Sequence, residues 1–278
     1  MKRKKPKKSL GDPGRQHSRP TAQDAAGRLL VLKYVVVRAI AAPPREILAD
    51  YFAAWDAKGR AKFTRDVAKE NEKYWRGLVN EGLWRYLSPW EEQYASKTVV
   101  TMTHENQVEG SWLVESVQTL MWALGFLSAL PPYDTMADHD LLKTFPQVNV
   151  DDFIGSASLR PRAEIDRARD IAELWHWRSR ERQLIESGEV LPSDDILEAL
   201  GFHSYDDVIR FTACRAAEEG TIPECIEDDF PARGKAYRDL SEQEWFEVRS
   251  IAIQRHFTLN WLCGHAPGNR WDETPTPT

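Results

Sequence analysis

The 278 residues are 42% hydrophobic, 10% aromatic and 29% charged, enough apolar material for one large domain or two small ones. The formal net charge of -6 divides unevenly: residues 1–20 hold eight Lys or Arg against one acid, a net +7, which leaves -13 for the remainder. So acidic a body argues against broad nucleic-acid binding through its own surface. Cys214, Cys225 and Cys263 form no close pair, which excludes a disulfide framework and suits a reducing cytoplasm.

Residues 1–21 read as a disordered basic arm, rich in Pro and Gly and without periodicity. Lys2, Arg3, Lys4, Lys5, Lys7 and Lys8 can draw in nucleic acid weakly by counterion release, though no aromatic residue is interleaved to stack bases. The polar, turn-like segment 9–14 is no signal-peptide core. The greasiest run, from Leu29 to Ala42, contains Lys33 and Arg38 and is too short to span a bilayer, so no membrane association is expected.

From residue 22 to 278 the periodicity predicts one all-α domain. A first helix is expected from Ala22 to Ala42, burying Leu29, Leu32, Val36 and Ile40 and ended by Pro43-Pro44. A short second helix is expected from Glu46 to Ala57, stopping near Gly59. A third is expected from Lys62 to Arg85, with Phe63, Val67, Tyr74, Trp75, Leu78 and Trp84 as its apolar members. Ser88-Pro89-Trp90-Glu91 combines an N-cap, a proline at N1 and a glutamate at N3, a capping box that opens a fourth. The β-prone run from Thr98 to Thr103 is too short and isolated to make a sheet.

The segment from Ser111 to Leu127 is apolar almost all round and belongs in the middle of the protein. Pro131-Pro132-Tyr133-Asp134 breaks it, and a loop-rich stretch follows to Ser158. Pro161 opens a long helix to Ser187, closed by Gly188, that buries Ile165, Ala168, Ala172 and Trp175. Short helices are expected after Ser193 and Ser204, then an ordered loop from Thr221 to Asp239. A second capping box, Ser241 to Glu244, opens the last helix to Cys263.

Phosphate-cradling loops, the nucleophile elbow and zinc-ligand spacings are missing from this sequence. His139 between Asp138 and Asp140 reads as a solvated loop rather than a metal site, and no metal or cofactor is implied. The informative residues are polar ones in apolar surroundings. Glu115 lies on the all-round apolar helix. Arg255 lies within the stripe Val248, Ile251, Leu259 and Leu262. Ionised groups placed so need each other or equivalent partners. His256 and Asn260, one turn apart on the adjoining face, and Arg160 and Glu164, at the start of the Pro161 helix, are candidates for the same cluster. Two readings stand: a buried network that fixes helix register, or a polar pocket with Glu115 or His256 as acid/base.

Trp112-Leu113-Val114-Glu115, Trp122-Ala123-Leu124-Gly125, Leu159-Arg160 with Glu164-Ile165, Arg255-His256 with Leu259-Asn260-Trp261-Leu262, and Trp271-Asp272-Glu273-Thr274 together resemble the bacterial family known as domain of unknown function 4272. The resemblance covers the body from Arg28 to the C-terminus. It implies a bacterial, cytoplasmic, mainly helical domain and assigns no catalytic residue. Two departures stand out: Leu113 occupies a position often held by arginine, which removes one possible partner for Glu115, and the lysine-rich arm lies outside the pattern. The expectation that follows is a non-enzymatic interaction or scaffold module with a protein partner. The alternatives are a small-molecule enzyme or sensor built on Glu115, Arg160, Arg255, His256 and Asn260, and nucleic-acid binding through the arm.

Overall fold

A computed structural model describes residues 18–145, 149–188, 192 and 194–278, apart from the side chains of Arg45 and Asp194. The arm expected over residues 1–21, including Lys2 to Lys8, falls almost wholly outside the described residues. The rest is all-α. In chain order the helices are α1 (Ala22–Ala41), α2 (Arg45–Ala54), α3 (Ala57–Asn80), α4 (Pro89–Ser96), α5 (His104–Ala123), α6 (Val150–Gly155), α7 (Arg162–Ser187), α8 (Asp194–Ala199), α9 (Tyr205–Glu218) and α10 (Glu242–Leu262). Among the described residues, extended pairing is confined to β1 (Pro231–Ala232) against β2 (Lys235–Ala236) and a bridge between Ile226 and Asp229.

α5 is the central helix. α1 packs along one side of it and α10 along another, with α7 against α10. From Leu113 to Ala123 every α5 residue is buried, as an all-round apolar helix must be. Where α1 crosses α5, Gly110 has no room for a side chain: a Cβ there would stand 2.9 Å from Ala39 Cβ and 2.6 Å from the Tyr94 hydroxyl. That contact also corrects the expected α1 stripe. Leu29, Leu32 and Val36 are buried, but the stripe continues through Ala39 toward Gly110 and leaves Ile40 46% exposed.

Other boundaries move for local reasons. Gly59 does not stop the second helix; it lies in the first turn of α3, where its N–H donates to the Asp56 side chain at 2.7 Å. Asp56 supplies the N-cap, so the break falls at Trp55. α3 ends at Asn80 because Gly82 turns the chain at φ +68°, and residues Leu83–Tyr86 form a separate 3-10 turn. Trp75 and Trp84 are exposed rather than core, and Leu78 alone of α3 is buried. α5 starts seven residues earlier than expected: Thr103 and Asn106 form a capping box with Asn in the place usually held by Glu or Gln. It also ends earlier. Gly125, at φ +83°, closes it with bonds from Gly125 N to Trp122 O and Phe126 N to Met121 O. The loop-rich stretch after it contains α6 and a 3-10 turn, His139–Thr144.

The 221–239 segment holds two successive tight hairpins. Glu227 and Asp228 at the first tip, and Arg233 and Gly234 at the second, all take positive φ, as two-residue hairpin loops require. Three of the four are not glycine, so the segment carries backbone strain. It holds because Asp229, just after the first tip, is buried and receives both Nε and Nη2 of Arg178 on α7 at 2.7 Å.

Candidate functional site

The six polar residues singled out in the sequence lie in three separate pairs rather than one pocket. The first pair joins α5 to α10. Arg255 Nε donates to Glu115 Oε2 at 3.0 Å, and both side chains are fully buried. Arg255 Nη1 donates to the carbonyls of Pro131 and Pro132, and Nη2 to Thr135 O at 3.1 Å and Gln118 Oε1 at 3.5 Å. All five guanidinium N–H groups are thereby engaged. The other carboxylate oxygen of Glu115 accepts the Ala137 N–H at 2.6 Å. A charge pair that leaves neither partner unsatisfied is the form in which burial is tolerable. Its product is the shape of the Pro131–Ala137 loop, whose otherwise unpaired backbone groups it takes up.

The second pair faces α7. Asn260 Oδ1 accepts from Arg169 Nε at 2.8 Å, and its Nδ2 donates to the Pro275 carbonyl at 2.8 Å. Because arginine only donates and a carbonyl only accepts, these two bonds set the amide's orientation. The second Nδ2 hydrogen then goes to His256 Nε2 at 2.9 Å, making that nitrogen an acceptor. His256 must carry its proton on Nδ1 and donate it to His176 Nδ1, also at 2.9 Å. Burial first, then the nearby His176 and Arg169, lowers the His256 pKa from 6.5 to about 3. Burial, then Arg249 and Arg180, lowers that of His176 to about 4. Both rings are neutral at neutral pH.

The third pair caps helices. Arg160 donates its backbone N–H to Ala123 O, Nε to Trp122 O, and Nη2 to the carbonyls of Leu127 and Ser128. It thus serves the C-terminal carbonyls that α5 leaves open. Its Nη1 donates to Glu164 at 3.2 Å, and its guanidinium lies 5.2 Å from the Trp122 ring centroid.

This third pair borders a cleft of about 750 Å³. The Pro131–Asp134 loop, the first half of α7 and the 221–234 segment enclose it, with Trp122 and Arg160 at one wall. Tyr133 and Trp175 both line it, stacked nearly parallel with centroids 5.4 Å apart. Phe230 meets Trp175 edge-on at 5.3 Å, which holds the indole in place. The Arg255 guanidinium lies 4.9 Å from the Tyr133 ring, so the Glu115–Arg255 pair supports the cleft's lining. Burial raises the Tyr133 phenol above its ordinary pKa, and its hydroxyl has no hydrogen-bond partner. The indole N–H groups of Trp122 and Trp175 also have no hydrogen-bond partner among the described residues, and both side chains are buried.

Sequence reasoning missed the lining itself. Tyr133 reads as part of a helix-breaking loop, and Trp175 as core, which its burial bears out; what was missed is that the two rings stack at the cleft wall. It also missed two further buried ion pairs, Arg178–Asp229 and Arg28–Glu91. A signal existed for Arg28, which lies within the apolar run of α1. None existed for Asp229, whose loop has no periodicity. Among the described residues no group of three or more His, Cys, Asp or Glu is placed to hold a metal ion, and no helix is long and apolar enough to cross a membrane.

No curated protein and no solved structure matches the chain. A family model described as domain of unknown function (DUF4272) matches residues 13–194, more than half of its length. The match takes in α5, Arg160, Glu164 and α7 but stops short of α10, so Arg255, His256 and Asn260 lie outside it. The chain belongs to the DUF4272 family.

Proposed function

We propose that this protein is a non-enzymatic binding module whose cleft receives an extended, proline- or aromatic-bearing segment of a partner protein. One observation carries the reading: the polar groups singled out in the sequence are bonded to one another or to backbone, while the aromatic wall of the cleft keeps hydrogen-bond donors unpaired. Arg255 uses all five N–H groups, and His176 and His256 are neutral and bonded to each other. None of these groups is poised to move a proton to or from a substrate. Trp122, Tyr133 and Trp175, largely buried in the wall with Pro131, Pro132, Pro223 and Pro231 around them, make instead an apolar boundary with unpaired indole N–H donors. Grooves that dock extended proline-rich peptides use the same combination.

The volume, about 750 Å³, also falls in the range that small-molecule sites occupy and favours a sensor as the second reading. Three free cysteines support a reducing cytoplasm of a bacterial host as the setting, and residues 22–278 act as one domain. Affinity purification from host lysate separates the two readings when mass spectrometry is applied to both protein and small-molecule passengers. Leu130→Arg and Ala168→Arg each put a long cation into the cleft. A protein captured by the wild type and lost with both variants, at unchanged unfolding midpoints, is the expected result. Loss of a co-purifying small molecule alone would shift the reading to a sensor, and identical captures would remove the cleft from the function.

A further inference from the structure

Nearly every described lysine and arginine has a partner, and the exceptions are concentrated in one place. Lys33 lies over the Phe145 ring, Lys97 donates to Asn106, and Lys143 and Lys235 pair with Asp140 and Glu244. Six described cations make no hydrogen bond, ion pair or ring contact: Lys58, Lys62, Arg65, Lys69, Arg162 and Arg167. Four of the six belong to α3, and all four are exposed. Their spacing of four, three and four residues sets them on a single face of the helix, over a length of about 16 Å. Lys73 and Arg76 extend the row at 71% and 69% side-chain exposure, tied only to Glu70 and Glu72 on the same helix.

The row is anomalous on two counts. Like charges three or four residues apart repel and destabilise a helix, and here four successive neighbours do so; Asp66, one turn from both Lys62 and Lys69, pairs with neither. The surroundings are also of opposite sign. Residues 21–278 carry -13, while α3 alone holds seven Lys or Arg against three acids, so the rest of that body is at -17. A net count conceals this edge, which is why the sequence argued against a nucleic-acid surface on the body.

We propose that this outer face of α3 binds the phosphate backbone of nucleic acid without reading its sequence. A polyanion relieves the repulsion along the row and releases counterions. The face fits a phosphate backbone better than a bilayer. Phe63, Val67, Tyr74 and Leu78 lie on the opposite side of the helix, and the exposed apolar residues Trp75 and Val79 stand in its last two turns, beyond the four cations, whereas an interfacial helix needs an accessible apolar face along its charged row to sink into lipid. This surface is independent of the cleft.

Fluorescence anisotropy of the full chain with a labelled DNA duplex of arbitrary sequence, and with an RNA duplex of equal length, tests it across a salt series. Substituting Lys58→Gln, Lys62→Gln, Arg65→Gln and Lys69→Gln together should weaken binding by at least about tenfold. It should also flatten the slope of log K against log salt by about 3, at roughly 0.7–0.9 per phosphate contact. Lys58→Arg, Lys62→Arg and Lys69→Arg together should retain the affinity, which checks that charge rather than damage explains the loss. Arg162→Gln with Arg167→Gln, the unpartnered cations of α7, should leave it unchanged. Four results would each overturn the proposal: an unchanged slope in the glutamine variant, equal loss in the α7 control, binding abolished only by deleting residues 1–17, or retention on anionic vesicles without retention on nucleic acid.

Discussion

The α5–α7–α10 interior and the outer face of α3 treat charge in opposite ways. Inside, Arg255, Arg178 and Arg169 each meet a carboxylate, Arg255 also meets backbone carbonyls, and Arg169 a side-chain amide. On α3, four adjacent cations meet nothing. Desolvation makes the difference. A buried guanidinium without a partner is costly, so the fold gives Arg255, Arg178 and Arg28 a carboxylate each, even where one N–H stays open, as at Arg178 Nη1 and Arg28 Nε; an exposed lysine is solvated either way and can stay unpaired until a partner arrives. Buried, paired charge therefore marks architecture in this molecule, and exposed, unpaired charge marks a surface available to other molecules.

Breaking a buried ion pair should give the largest effect. Arg178→Met leaves Asp229 buried beneath a strained hairpin, and should cost about 3–5 kcal/mol by urea unfolding. A cost below about 1 kcal/mol would mean that water replaces the guanidinium and that the interior is wetter than the geometry shows. A smaller loss is expected at the α1–α5 crossing. Gly110→Ala forces a Cβ against Ala39 and the Tyr94 hydroxyl, and overpacking of this kind costs about 1–3 kcal/mol. A neutral result would show that the two helices separate freely.

The histidine pair sharpens the contrast through pH. Its folded pKa values, about 4 for His176 and about 3 for His256, lie below the ordinary 6.5. The unfolded chain therefore binds more protons as pH falls below 6.5, so stability is fully present above that value and declines as pH falls through the window toward 4. Replacing His176 with Gln should flatten this part of the stability profile. An equally steep decline in the variant would place its origin in other groups. At the small end, Lys62→Gln on α3 should change stability by no more than about 0.5 kcal/mol and in the stabilising direction, since it removes like-charge neighbours. A measurable loss would reveal a partner for Lys62.

Much of the helix layout was legible because its signals are local. The capping boxes at Ser88 and Ser241, Pro161 at the head of α7 and Gly188 at its end act within one turn, and each lies where the sequence placed it. Glu115 and Arg255 were legible for a different reason: an ionised residue within an apolar stripe needs a partner, whatever the fold. That the two would meet was the expectation, with Arg160 as the fallback partner for Glu115; Arg160 turns instead to the carbonyls of Trp122 and Leu127 at and just past the end of α5. His256, by contrast, meets His176 from a helix 80 residues away, and no periodicity links the two. The cleft was invisible because Tyr133 and Trp175 meet only when the Pro131–Ala137 loop is folded back by Arg255.

The central claim is that the Glu115–Arg255 pair is a structural lock between α5 and α10. A double-mutant cycle of Glu115→Gln and Arg255→Met, followed by chemical unfolding, tests it most directly. Each single substitution should be strongly destabilising, by about 3–5 kcal/mol, and the double should cost less than their sum by about 1–3 kcal/mol. Strictly additive losses, or single variants as stable as the wild type, would contradict the lock and return these two charges to the list of groups free to do chemistry.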